Sequence, residues 1–194
     1  MPFQSLGLAP QILAAIQDAG YTEPTPIQAA AIPAVLTGSD VIGIAQTGTG
    51  KTAAFTLPIL TQLTEKPLAP GQRSHTRVLV LAPTRELVAQ IEENVLAYAK
   101  HLPLKIAKVY GGVGEKPQKD ALRAGSDIVI ACPGRLLDLM GQRCANFSKL
   151  EYLVLDEADR MLDMGFLPDI RRVVQQLPRK RQTLLFSATL SKEI

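Results

Sequence analysis

Six short apolar runs punctuate the chain, at residues 41–45, 77–81, 105–110, 127–131, 152–155 and 183–186. They are rich in Val, Ile and Leu, and most are nearly continuous in apolar residues. Strands of that kind are expected to be covered on both faces. Between the runs, apolar positions recur at a helical period in residues 52–65, 85–100, 116–124, 133–140 and 167–176. Strand and helix therefore alternate down the chain. The pattern predicts a three-layer α/β domain around a mainly parallel central sheet. Two further helices are predicted ahead of the first strand, at 10–19 and 26–37. Pro10 and Pro26 suit their first positions, where no backbone N–H is required. Residues 66–76 (KPLAPGQRSHT) read as an exposed loop.

Composition adds limits rather than chemistry. The chain has 194 residues, enough for one well-buried domain. Its 46% apolar and 20% charged residues are ordinary for a globular protein and argue against disorder over the whole length. The net charge of +3, from 21 basic and 18 acidic residues, does not by itself point to nucleic acid. Cys132 and Cys144 form no CxxC pair, and His75 and His101 are distant from both in sequence. That argues against a zinc site and against a disulfide framework, and favours a reducing compartment. The start, MPFQS, is unlike a signal peptide, and no apolar run has the length of a membrane span. The expectation is a soluble, cytoplasmic protein. The end, LSKEI, follows a strand and looks like a cut inside a longer protein.

Two stretches carry candidate chemistry. Residues 45–52, AQTGTGKT, follow an apolar strand and open a helix. Gly48 and Gly50 let the backbone fold tightly, so that its N–H groups, including those of Gln46, Thr47 and Thr49, converge on phosphate oxygens. Lys51 then reaches the β- and γ-phosphates, and the Thr52 hydroxyl is placed to bind Mg²⁺. The strict phosphate-loop pattern has Gly where this chain has Ala45, a position less crowded by phosphate. The second stretch, LVLDEAD at 153–159, ends an apolar run in three acids. A phosphate-loop protein needs an acid at a second strand end for its metal, which suits Asp156. Glu157 can reach the water that attacks the γ-phosphate, as general base or orienting group. Asp159 is better placed to bind neighbouring loops. A solvated turn explains one such acid but not three beside a phosphate loop.

The motifs together resemble the DEAD-box RNA helicases. DEAD at 156–159 is joined by GYTEPTPIQ at 20–28, similar to the family's Q motif, with Phe3 as its upstream aromatic. Residues 45–52 are similar to motif I, including its initial Ala, and PTREL at 83–87 to motif Ia. Gly111-Gly112 is similar to the GG motif, PGR at 133–135 to motif Ib, and SAT at 187–189 to motif III. Seven matches in the family's order cover nearly the whole chain. The opening residues and DRMLDMGF are most similar to the bacterial RhlE-like branch.

The resemblance implies a RecA-like phosphate-loop NTPase domain, the first of two. Residues 1–37 would form the Q-motif lead-in and 38–194 the core, with the second domain absent. It implies ATP and Mg²⁺, an adenine read by Gln28, and Tyr21 stacking on the base. Thr25 would bridge to the phosphate loop. Pro83, Thr84, Arg85, Gly111, Gly112, Gly134 and Arg135 would hold RNA through its phosphates, with little base specificity. Asp159, Ser187 and Thr189 would link the nucleotide site to the RNA side and to the C-terminal RecA-like domain. Cys132 replaces the usual Thr of motif Ib, which implies a weaker hydrogen-bonding group there. Activity would be ATP-dependent separation of short RNA duplexes. An ATP-dependent RNA clamp that scaffolds assemblies uses the same motifs, and a DNA-directed translocase is a third reading that the Q motif disfavours.

Overall fold

The computed structural model describes residues 2–69, 72 and 74–191. Of the loop predicted at 66–76, residues 70, 71 and 73 lie outside that set, as do residues 192–194 of the chain end. The six apolar runs form six strands: β1 (Val41–Ile44), β2 (Val78–Leu81), β3 (Ile106–Val109), β4 (Ile128–Ala131), β5 (Tyr152–Leu155) and β6 (Gln182–Ser187). They make one sheet in the order β1-β6-β5-β2-β4-β3, and every pairing is parallel.

Strand residues alternate between two cores, as a pleated sheet requires. Val78, Val80, Ile128, Ile130, Val154, Leu184 and Phe186 join one, beneath α1 (Pro10–Asp18), α2 (Pro26–Leu36), α3 (Lys51–Glu65) and α4 (Arg85–Tyr98). Leu79, Leu81, Val109, Val129, Ala131 and Leu153 join the other. That second core is closed by α5 (Glu115–Ala124), α6 (Pro133–Gly141), α7 (Ala158–Asp163) and α8 (Leu167–Gln175). The apolar runs are continuous because both faces of the sheet are covered.

The structure departs from the sequence reading at three places. β1 is an edge strand, and Ile42 and Ile44 are exposed on it while Gly43 is buried. The reading of double coverage therefore fails there: an apolar run does not distinguish an edge strand from a central one. Helix α7 was not anticipated, being only six residues long and starting inside the acidic stretch. The chain start also folds, with a 3₁₀ turn at Phe3–Leu6 that buries Phe3 and Leu6.

All six strands run the same way, so their C-terminal ends share one edge of the domain. The loops at 45–50, 82–84, 110–114, 132, 156–157 and 188–189 leave from that edge. It is the edge at which open α/β sheets bind ligands.

Candidate functional site

The phosphate-loop residues leave β1 beside β6, where the Ala45 N–H donates to the Ser187 carbonyl at 2.9 Å. Gly48 and Gly50 both adopt left-handed backbone, with φ of 82° and 88°. Gly50 immediately precedes α3 and has no room for a side chain: a Cβ there would come 2.3 Å from Gln28 Nε2. Thr49 Oγ1 donates to the Gln46 carbonyl at 2.7 Å and closes the turn. Lys51 is buried, and its Nζ donates to the Ala45 carbonyl at 2.9 Å. The ammonium therefore folds back over its own loop. Gln46, Thr47 and Gly48 face solvent, and Thr52 is half-buried.

Gln28 is tied at both ends. Its Oε1 accepts from the Thr25 N–H at 3.0 Å, and its Nε2 donates to the Gly50 carbonyl at 3.1 Å. One N–H and one acceptor lone pair stay uncommitted, which is the pair of groups an adenine edge requires. The Thr25 hydroxyl is buried beside Gly50 and faces the Gln28 backbone N–H, as the other half of a capping box at the start of α2. Tyr21 is about half exposed, tilted against Tyr98 with ring centroids 6.3 Å apart. Phe3 is a core residue at 3% exposure, so a ligand would meet almost none of its surface.

The three acids behave differently. Asp156 is 1% exposed; its backbone N–H donates to the Leu81 carbonyl, and its Oδ1 accepts from the Glu157 N–H at 2.9 Å. Burial pushes its carboxyl up to about 6, against the pull of the Lys51 charge. Glu157 has φ of 51°, in left-handed backbone where a non-glycine residue is uncommon. Its Oε2 accepts from Arg160 Nη1 at 3.2 Å. Asp159 accepts from the Thr189 N–H at 3.0 Å and the Thr189 hydroxyl at 3.1 Å, while its own N–H donates to Ser187 Oγ at 3.1 Å. Burial works to raise the Asp159 carboxyl, but the Ser187 and Thr189 bonds outweigh it and hold it low.

A second group gathers after β2, β3 and β4. Thr84, which follows Pro83, caps α4 by accepting from the Leu87 N–H at 3.2 Å. Arg85 Nε donates to Glu86 Oε1 at 2.8 Å, and an Arg85 amino group lies 3.6 Å from where a Cβ on Gly112 would be. Arg135 Nη1 reaches the Val113 carbonyl at 3.3 Å, just beyond Gly111 and Gly112. Gly134 sits in the first turn of α6 beside Arg135. Two guanidiniums thus converge on the 111–113 loop from neighbouring strand ends. Cys132 precedes α6 without capping it, and burial pushes its thiol up to about 11.

Two contributors were not read from the sequence. Gln118 holds the glycine loop: its Oε1 accepts from the Tyr110 N–H at 3.2 Å, and its Nε2 donates to the Tyr110 and Gly114 carbonyls. A lone amide in a polar helix carries no signal of that. Arg160 had one, since its spacing of three from Glu157 on a helix start makes the pair neighbours.

The arrangement suits a phosphate-bearing ligand. A glycine that tolerates no Cβ, a buried Thr25 hydroxyl and a buried lysine surround the loop. Among the described residues, no group of three or more His, Cys, Asp or Glu could hold a metal by protein groups alone. A Mg²⁺ ion needs only one or two carboxylates when phosphates supply other ligands, so Asp156 with Thr52 fits that chemistry. No helix among the described residues is long and apolar enough to cross a membrane.

Residues 25–194 match the family described as DEAD/DEAH box helicase. The DEAD-box ATP-dependent RNA helicase 30 of Arabidopsis thaliana is 49% identical over 192 residues, which is 99% of this chain and 32% of that protein. The ATP-dependent RNA helicase DeaD of Escherichia coli (strain K12) is 48% identical over 193 residues, 99% of this chain and 30% of that protein. The chain thus spans about a third of the length of these relatives. The crystal structure of a DEAD box protein from the hyperthermophile Methanococcus jannaschii superposes with a TM-score of 0.90 at 36% identity, covering 100% of this chain and 51% of that one. Plant and bacterial relatives at nearly equal identity speak for the family and not for one branch of it.

Proposed function

Since this chain belongs to the DEAD/DEAH box helicase family, we propose that it is the N-terminal RecA-like domain of an ATP-dependent RNA helicase. In this reading residues 1–37 form the nucleotide-reading lead-in and 38–194 the core. The observation that carries it is the convergence of Gln28, Lys51 and Thr25 on Gly50 and its loop, with buried Asp156 within reach of the Lys51 charge.

Gln28 would hold adenine with its uncommitted N–H and lone pair, and Tyr21 would offer a face to the base. The backbone N–H groups of residues 46–50 would bind phosphate oxygens. Lys51 would leave the Ala45 carbonyl for the β- and γ-phosphates. Asp156 and Thr52 would hold Mg²⁺, which when bound offsets phosphate charge. Glu157 would orient the attacking water and take its proton, with Arg160 steadying its carboxylate until then. Asp159 would report on the γ-phosphate through Thr189 and Ser187 to the second domain.

Arg85, Arg135 and the 111–113 loop, with Thr84 and the N–H groups of Gly112 and Gly134, would grip the RNA phosphate backbone. Such contacts carry little sequence information, which suits an enzyme that separates short duplexes. Two unpaired thiols fit a protein working in a reducing cytoplasm.

Titration of the chain with a fluorescent adenine nucleotide and Mg²⁺ tests the phosphate grip. Lys51→Ala is expected to lose about 10- to 100-fold in affinity, the worth of a charge-assisted contact. Unchanged affinity would refute the role of Lys51. Strand displacement by the full-length protein separates the helicase from an ATP-dependent clamp, which would bind RNA without displacing a strand.

A further inference from the structure

A cavity of about 440 Å³ opens at the other edge of the domain, beneath the N-terminal ends of β2, β4 and β5. Among the described residues, His75, Arg123, Arg143 and Lys149 all line it, and no carboxylate does. For a chain with nearly as many acids as bases, that segregation is pronounced. Neither Arg143 nor Lys149 has a carboxylate within 4.0 Å among the described residues. Arg123 is steered by Cys144, whose Sγ lies 3.4 Å from a guanidinium nitrogen. The Ser74 hydroxyl on the cavity wall is buried and has no hydrogen-bond partner among the described residues. The wall itself is tight, since a Cβ on Gly125 would come 2.2 Å from the Ser74 carbonyl oxygen. Arg143 is also held at φ of 56°, a left-handed conformation costly for a residue with a side chain.

Two arginines and a lysine, a buried hydroxyl without a partner among the described residues and a volume within the range of small-molecule sites together suit an anion. We propose that this cavity binds a phosphate or pyrophosphate group carried by a small molecule, at a site separate from the phosphate loop. Arg123 comes from the last turn of α5, while Arg143 and Lys149 come from the connection between α6 and β5, so a compact dianion in the cavity could touch cations from two separate segments. The competing account is local: α5 and α6 end here, and cations offset the partial negative charge of helix C-termini. The two accounts differ in what the cations are for.

The test is a titration of the 194-residue chain with inorganic pyrophosphate, followed by amide NMR shifts at fixed ionic strength. The chain carries Lys51→Ala so that the phosphate loop does not compete. Saturable shifts in residues 123–125 and 143–149 are expected. Arg143→Gly, which suits the left-handed backbone, and Lys149→Ala should each weaken that binding about tenfold. Shifts that never saturate, or shifts confined to residues 45–52, would overturn the proposal. So would variants that lower the melting temperature yet bind pyrophosphate as before, because the cations would then serve the helix ends alone.

Discussion

The strand-end edge contains two neighbouring regions built on opposite principles. Around the phosphate loop the functional groups are buried and tied to backbone groups of the surrounding loops: Lys51, Gln28 and Asp156 are each under 8% exposed. Around the glycine loop at 111–113 Arg85 is exposed and Arg135 half-buried, and each makes a single contact, with a neighbouring acid and a carbonyl respectively. The first region is preorganised for one ligand shape, and the second is an adaptable cationic strip. The difference suits a nucleotide on one side and a flexible polyanion on the other. It also predicts that substitutions will act differently in the two places.

The largest effect is expected at Glu157. Glu157→Gln in the full-length protein should keep nucleotide and RNA binding but lose turnover by about 10²- to 10⁴-fold, the usual worth of a general base. Steady-state ATPase rates near wild type would remove Glu157 from that role.

Asp156 shows what preorganisation costs. Its ordinary value is 3.8 and burial raises it to about 6 in the folded chain. Between those values the folded chain holds a proton that the unfolded chain releases. Stability should therefore fall as pH rises from about 4 to about 6 and level off above, by at most about 3 kcal/mol. Asp156→Asn should abolish that pH step and stabilise the ligand-free chain at pH 7, while weakening Mg²⁺-dependent nucleotide binding. Urea denaturation across pH 4–8 measures both forms. A variant no more stable than wild type would mean that the carboxylate is better solvated than its burial implies.

The smallest effects are expected on the cationic strip. Arg85→Ala and Arg135→Ala should each reduce single-stranded RNA affinity a few-fold for any sequence. Each should also lower the slope of log affinity against log salt by about 0.7. A loss confined to one RNA sequence would instead indicate base reading and would erase the contrast between the two regions.

Much of this was legible in the residue order. Among the described residues, apolar runs and helical periods placed all six strands and seven of the eight α-helices, because a doubly covered sheet leaves a strong pattern. The phosphate loop and the acids were legible because tight turns and strand-end carboxylates use few residue types. What was not legible depends on neighbours distant in sequence. Exposure of Ile42 and Ile44 follows from the place of β1 at the sheet edge, which its own residues do not encode. The brace by Gln118 depends on where β3 ends relative to α5. Double anchoring of Gln28 depends on Gly50, 22 residues away. The inertness of Cys132 as a cap agrees with the expectation for a thiol, since no side-chain bond forms there.

On the proposed reading this chain would grip ATP and orient the attacking water, but would not by itself supply every cation that stabilises the transition state. In the proposed architecture the arginines that stabilise the transition-state charge come from the second domain, a contribution of about 10³- to 10⁵-fold in related phosphoryl transfers. The most direct test is ATP turnover by residues 1–194 with saturating Mg²⁺, with and without single-stranded RNA. Measurable nucleotide binding, with turnover close to background and unmoved by RNA, is expected. Robust RNA-stimulated hydrolysis by the chain alone would contradict it.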